Sequence, residues 1–230
     1  MSNTSAIFKK EIRSYFNSPI AYFNIIAFLG VSTWLFFWLG GFFIGNQAHM
    51  RNFFDLMPWM FLFFAPAMTM RLWAEEKKMG TVEILMTLPI KSYEVVLGKY
   101  LASFALLGAM ITLSLPIVGL VTYLGDPDGG QIFASYIGVF LMGAAYISIG
   151  FCASTLTENQ IIAFILGIVI CFALFAISFV PALSYFGLVS HFGRGLARGV
   201  IDSRDLIYYV SVTGFFLYLS VLFVESRSWR

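Results

Sequence analysis

Six stretches of this chain carry no charged residue: 20–44, 56–70, 100–124, 132–157, 159–190 and 206–224. About 20 apolar residues are enough for a helix to cross roughly 30 Å of bilayer hydrocarbon, so nearly every one of these runs has the length of a span. In lipid, backbone N–H and C=O groups must find partners within the protein, which leaves helices or closed barrels. The period-2 alternation of a barrel is absent. The predicted fold class is an all-α integral membrane protein with six transmembrane helices. Composition agrees: 11% of residues are charged, against about a quarter in a soluble domain. The 230 residues leave no room for a separate soluble domain.

The second run is short, and its span is expected to begin earlier, through Phe53 and Phe54, with Asp55 near an interface. Pro181 is expected to end the fifth helix, because proline breaks the hydrogen-bond ladder. Pro58, Pro66 and Pro116 mark positions for kinks. In the fourth span, Ala134 with Gly138, Ala144 with Ser148 and Gly150 with Ser154 stand four apart, a spacing that lets helices approach closely in lipid; packing within the subunit is expected to use them. Cys152 and Cys171 fall in apolar runs and read as small packing residues. The first run lacks the short apolar core and cleavage site of a signal peptide, so it is expected to remain as the first span.

An even number of spans places both ends of the bundle's chain on one side. With that side inside, Lys9, Lys10, Arg13, Arg71, Lys77, Lys78, Lys91, Lys99, Arg227 and Arg230 are cytoplasmic, ten of the 14 basic residues. Arg51, Arg194, Arg198 and Arg204 fall outside, and the positive-inside rule favours this orientation. Residues 1–19 carry Phe8, Ile12, Tyr15 and Phe16 on one helical face and Lys9, Lys10 and Arg13 elsewhere. This spacing predicts an amphipathic helix in the cytoplasmic interface, its basic side toward lipid head groups. Asn17, Ser18 and Pro19 then turn the chain into the bilayer.

Several chemistries are excluded. No apolar run has an ionisable residue at its centre, which argues against an ion-coupled carrier. His49 and His191 have no acidic or cysteine partner at metal-ligand spacing and read as ordinary loop residues. Gly98-Lys99 is followed by Tyr100, and Tyr93 stands where a phosphate loop needs glycine. The chain therefore has no ATPase site of its own. Serines within the spans lack a neighbouring histidine to act as base, so no catalytic residue, bound cofactor or metal is expected.

The charge is gathered in an island from Ala74 to Ala102 that holds Glu75, Glu76, Lys77, Lys78, Glu83, Lys91, Glu94 and Lys99. Arg71, Glu75, Lys78 and Val82 keep helical spacing, so the second span is expected to leave the bilayer as a helix. Met79-Gly80-Thr81 is a natural break. Thr81 is placed to N-cap a short helix that Leu88-Pro89 stops, and Ser92 to cap the next helix, which becomes the third span. Val82, Ile84, Leu85, Met86 and Leu88 are too apolar for a solvated turn and too few for a span. An apolar cluster with a charged rim marks a docking surface.

The string EEKKMGTVEILMTLPIKSYEVVLGKYLA closely resembles the cytoplasmic signature of type-2 ABC export permeases, in particular the gliding-motility (Gld-type) permease subunit. Gly80, Thr81, Glu83, Leu85, Thr87, Pro89, Gly98 and Lys99 carry the likeness. A second string, HFGRGLARGVIDSRDLIYY from His191 to Tyr209, resembles the family's extracellular segment, except that Gly193 stands where a glutamate is usual. The resemblance implies one permease domain over 1–230: an interface helix (1–19), spans one and two (20–70), a cytoplasmic coupling region (71–99), spans three to five (100–181), an extracellular re-entrant region (182–205) and span six (206–224).

It further implies a subunit of an ATP-driven exporter in the bacterial inner membrane. The partners would be two copies of a cytoplasmic ABC ATPase, a second permease subunit as homodimer or heterodimer, membrane lipid and an accessory subunit, with no nucleic acid. ATP and magnesium would sit on the ATPase. Glu75, Glu76, Gly80, Thr81, Val82, Glu83, Ile84, Leu85, Thr87, Leu88 and Pro89 would dock it, with Glu158 as a second contact. His191, Arg194, Arg198, Asp202 and Asp205 would form an extracellular gate. The alternative is a membrane anchor that transmits force in a gliding or envelope-assembly machine without moving a substrate.

Overall fold

The computed structural model describes residues 3–39, 49–83 and 89–228. Its helices are α1 (Asn3–Asn17), α2 (Pro19–Trp34, continued by a π-helical turn Leu35–Leu39), α3 (Arg51–Thr69), α4 (Arg71–Lys78), α5 (Ser92–Thr112), α6 (Leu115–Leu124), α7 (Gly129–Leu156), α8 (Gln160–Ile177), α9 (Leu188–Arg194) and α10 (Ser203–Ser228). Among the described residues there is no strand, and six stretches of helix are long and apolar enough to cross a membrane: Pro19–Trp38, Arg51–Lys78, Ser92–Leu124, Gly129–Leu156, Gln160–Ile177 and Ser203–Ser226. The protein is an all-α, multi-pass membrane protein, as the six charge-free runs require.

Prolines and caps set the breaks. Ser18 separates α1 from α2, its hydroxyl accepting from the Ile20 amide at 3.4 Å, and Pro19 opens α2, where a missing N–H costs nothing. The second span does begin at Arg51 and includes Phe53 and Phe54. Pro58 lies inside α3 without interrupting it. Pro66 cannot donate to the ladder, and Thr69 Oγ1 donates to the Ala65 carbonyl at 2.9 Å one turn before the interruption at Met70. Pro116 sits in the first turn of α6, just after the interruption at Leu113 and Ser114. The fifth span stops at Ile177, four residues ahead of Pro181.

At the centre stands α7, flanked by α3, α5, α8 and α10. Its small residues let α3, α5 and the Leu196 turn come close. A Cβ on Gly138 would come within 2.7 Å of Leu196 Cβ, one on Gly143 within 2.7 Å of Leu107 Cδ2, and one on Gly150 within 3.1 Å of Pro66 Cα. The spaced small residues therefore pack inside the subunit. Tyr146, Ile147, Phe151 and Ala153 of the same helix are fully buried, as are Cys171 and, nearly so, Cys152. By contrast α2, α8 and α10 turn residues such as Phe23, Ile26, Val169, Phe172, Val210 and Tyr218 outward, the expected surface of a helix facing lipid tails.

Replacement of Gly150 by leucine is expected to lower stability by about 1–3 kcal/mol through overpacking. At Gly30, where a Cβ would meet nothing within 4 Å, alanine is expected to be neutral or to stabilise by up to about 1 kcal/mol. Thermal unfolding of the two variants in detergent measures both.

Candidate functional site

One end of the bundle gathers α1, α4, the start of α5 and the loop between α7 and α8, and it is built around a buried cation. Lys99, the eighth residue of α5, is 1% exposed at its side chain. Its ammonium has three N–H donors and meets three acceptors: Glu11 Oε1 at 2.9 Å, Glu76 Oε1 at 2.8 Å and the Leu72 carbonyl at 3.1 Å. The Trp73 ring lies 5.3 Å from the same nitrogen. Burying a lone charge would cost several kcal/mol, and only a complete shell of partners offsets that. Lys10 adds a second bridge to Glu76 at 3.2 Å and to Glu11 at 3.4 Å. Burial pulls the Lys10 ammonium down, but the two carboxylates outweigh it and hold the group above the ordinary lysine value.

Gly98 makes this geometry possible. A Cβ there would fall 2.9 Å from Ile7 Cβ and 3.0 Å from the Thr4 carbonyl, so the missing side chain admits α1 to the α5 backbone. Further along α1, Tyr15 donates to the Met68 carbonyl at 3.1 Å and lies 3.0 Å from Ser103 Oγ. Asn3 donates to Glu94 Oε2 at 3.0 Å. The face that α1 commits to the protein is thus Ile7, Glu11 and Tyr15. This corrects the expectation of one apolar face of Phe8, Ile12, Tyr15 and Phe16: Tyr15 turns inward to the α3 carbonyl, Phe16 is exposed and Phe8 and Ile12 are half-buried. The sequence gives Glu11 and Lys99 no obvious relation, because 88 residues separate them.

The residues expected to dock a partner divide into two sets. Glu75 and Glu76 point into the node's surroundings, Glu75 pairing with Arg71 at 3.1 Å and Glu76 with Lys99 and Lys10. Gly80 has φ of 70°, a left-handed conformation that favours glycine and ends α4. Residues 81–83 are helical. Thr81 is therefore inside a helix rather than its N-cap, and its hydroxyl donates back to the Glu76 carbonyl at 3.1 Å, satisfying a free acceptor at the end of α4. Val82 is half-buried against the core and Glu83 is exposed. Ile84, Leu85, Met86, Thr87 and Leu88 lie outside the described residues. Pro89 is exposed. The cap of the next helix is Lys91, not Ser92: Ser92 is the first helical residue, and the Lys91 amide donates to Glu94 Oε2 at 3.2 Å, a bond Ser92 cannot supply from inside the turn.

The 156–160 loop joins the same end. Lys77 Nζ donates to the Thr155 carbonyl at the end of α7, and Asn159 caps α8, accepting from the Ile161 amide at 2.9 Å. Lys78, Glu158, Asn159, Gln160 and Ile161 line a cavity of about 510 Å³. A second cavity of about 310 Å³ lies between α1 and α4, bounded by Lys10, Glu11, Arg71, Glu75, Glu76 and Thr81 among others.

At the opposite end, residues 178–202 fold back on the bundle through the 3-10 turns Ser184–Phe186 and Leu196–Arg198 and the short helix α9. His191 is buried here and paired with Asp205, Nδ1 to Oδ1 at 2.8 Å, while Nε2 faces the Tyr185 carbonyl at 2.8 Å and the ring stacks on Tyr208 at 4.0 Å. The reading of His191 as an ordinary loop residue without an acidic partner is corrected: the partner stands 14 residues on, where α10 begins. Tyr208 and Tyr209 donate to the Phe186 and Leu188 carbonyls, both at 2.6 Å. From α7, Gln131 donates to the Ala197 carbonyl at 2.9 Å and Ser135 to the Leu196 carbonyl at 3.3 Å. Of the other residues assigned to this region, Arg194 is exposed and donates to Ser184 at 2.8 Å, Arg198 is exposed, and Asp202 accepts from the Arg204 amide at 3.0 Å at the head of α10. The structure brings His191 and Asp205 together and leaves the other three on the surface.

Six spans, with the small-residue helix α7 at their centre and a charged platform at one end, define a multi-pass membrane protein. Residues 5–222 match the sequence profile of the ABC-2 family transporter proteins, and the chain belongs to that family. It is thus the permease subunit of an ABC transporter and pairs with an ABC ATPase subunit; membrane domains of this family generally lack an ATPase site of their own. A search of curated proteins finds no match.

Exchanging His191 for alanine is expected to lower stability by about 1.5–3 kcal/mol, the range for a hydrogen bond to a charged group. The double variant with Asp205→Asn should lose less than the sum of the two single losses. A double-mutant cycle from thermal unfolding in detergent reads the coupling.

Proposed function

We propose that this chain is the permease subunit of an ATP-driven exporter of the bacterial inner membrane, with the charged end facing the cytoplasm and receiving the ATPase. The observation that carries this reading is the juxtaposition of the 81–83 turn and the Glu158 loop at one end, linked by the bond from Lys77 to Thr155. An ATPase seated there touches both segments at once. Two ATPase copies, each holding ATP and magnesium, act on two permease subunits. Glu83, Val82 and the apolar residues Ile84, Leu85 and Leu88 form the contact, while Glu75 and Glu76 support it from behind through their ion pairs.

At the outer end, the folded-back segment held by His191 and Asp205 caps the exit path, with Arg194, Arg198 and Asp202 at its surface. The charge-free, aromatic-rich spans suit an amphiphile or a polymer better than a small ion, since nothing in them compensates a desolvated charge. Closure of the ATPase dimer on ATP displaces the docked segments, and the bundle follows because the two states differ in these contacts. The likeness of the charged island to gliding-motility permeases supports a role in that kind of export system.

Glu83→Arg or Leu85→Asp is expected to cut recovery of the ATPase with the purified permease by about tenfold or more, as charge reversal or a buried carboxylate does at interface centres. Membrane insertion should be unchanged. Wild-type recovery of the ATPase in both variants would show that docking lies elsewhere.

A further inference from the structure

We propose that Lys99 is a positioning residue: it locks α1 to α4, so that a displacement of the docking segment is carried into the N-terminal helix. This rests on the docking reading above. The route is continuous in hydrogen bonds and ion pairs. The Thr81 hydroxyl ties the 81–83 turn to the Glu76 backbone at 3.1 Å, and the Glu76 carboxylate reaches Lys99 at 2.8 Å and Lys10 at 3.2 Å. Lys99 in turn holds Glu11 at 2.9 Å. The first end of α4 is tied to the same helix pair, Arg71 Nη1 donating to Ser18 Oγ at 3.2 Å between α1 and α2.

Two features make this a joint rather than a local ion pair. First, α4 continues the path of α3 through Met70, whose backbone is helical, and ends at the left-handed Gly80, so the 81–83 turn hangs on α4 through the Thr81–Glu76 bond. It is attached to Lys99 through the Leu72 carbonyl and the Glu76 carboxylate, to Ser18 through Arg71 and to the Thr155 carbonyl through Lys77, and it packs on α7 and α8. Second, Lys99 has no spare donor: its three N–H groups match three acceptors from α1 and α4, so neither helix can leave without stranding a buried charge. Parting α1 from α4 would take from the ammonium part of its partners, so a displacement of α4 is carried to α1 rather than lost between them.

The test is hydrogen exchange on the permease purified with its ATPase, compared with and without bound ATP. In the wild type, amides of α1 and of residues 71–83 should both change protection when ATP binds. Lys99→Met removes the charge that holds the helices, and Gly98→Val pushes α1 away by a different route, through Ile7. Both variants should keep the ATPase within about twofold of wild type and keep the response of 71–83, while the α1 response falls about fivefold or more, the lower range of coupling between sites. If Lys99→Met does not fold, Glu11→Gln serves in its place. An α1 response that persists in the variants, or is absent in a wild type whose 71–83 segment responds, overturns the joint and leaves docking standing. A wild type in which neither segment responds, or from which the ATPase is lost, overturns both.

Discussion

A single ammonium group inside low-dielectric surroundings organises one end of this permease. Two carboxylates and a carbonyl from two other helices surround the Lys99 ammonium. Burying a cation is costly, and although Glu76 Oε2 and Trp73 Nε1 in the same node are buried without a partner among the described residues, partners drawn from both helices offset that cost. The placement of α1 and α4 follows from it. So does the absence of a side chain at Gly98, since the helix bearing Glu11 must come within van der Waals reach of the α5 backbone for the bond to form. The docking segment then starts from a platform whose geometry is set behind it.

The other end is held by a different logic. No long-range ion-pair network occurs there among the described residues beyond the His191–Asp205 pair; the folded-back segment is fastened chiefly by hydroxyl and amide donors aimed at its carbonyls. Tyr208, Tyr209, Gln131 and Ser135 each satisfy a backbone oxygen that the irregular chain leaves open. Irregular backbone at the edge of a membrane bundle is tolerated where protein groups supply such partners.

Much of the architecture was legible in the sequence because bilayer thickness imposes a length on every span. The charge-free runs gave six helices, the prolines at 66 and 116 the interruptions, and the small residues of 134–154 the crowded centre. The capping of single turns was less legible: Thr81 and Ser92 have the right side chains for N-caps, but the helices begin one residue earlier, and neighbouring carboxylate and carbonyl groups decide where such hydroxyls point. Hardest to see were the pairings between distant residues. Glu11 in a basic, amphipathic stretch looks like an ordinary surface charge, and Lys99 looks like the last charge before a span. His191 and Asp205 share a segment, yet the turn that brings them together depends on α7 and α10. The one sequence signal for the Lys99 node was Gly98 beside it, a glycine in a helix with no turn to make.

The central helix α7 has a consequence for how such a bundle can deform. Its glycines let Leu107 of α5 and Pro66 of α3 pack so near that neither helix can slide along it without a steric collision at Gly143 or Gly150. It therefore acts as a stator. Change of shape falls to the rim, where α2, α8 and α10 have few buried residues and turn apolar side chains outward, and to the points where the long helices are already interrupted. A membrane of different thickness would load that rim first and reach the close-packed centre only through it.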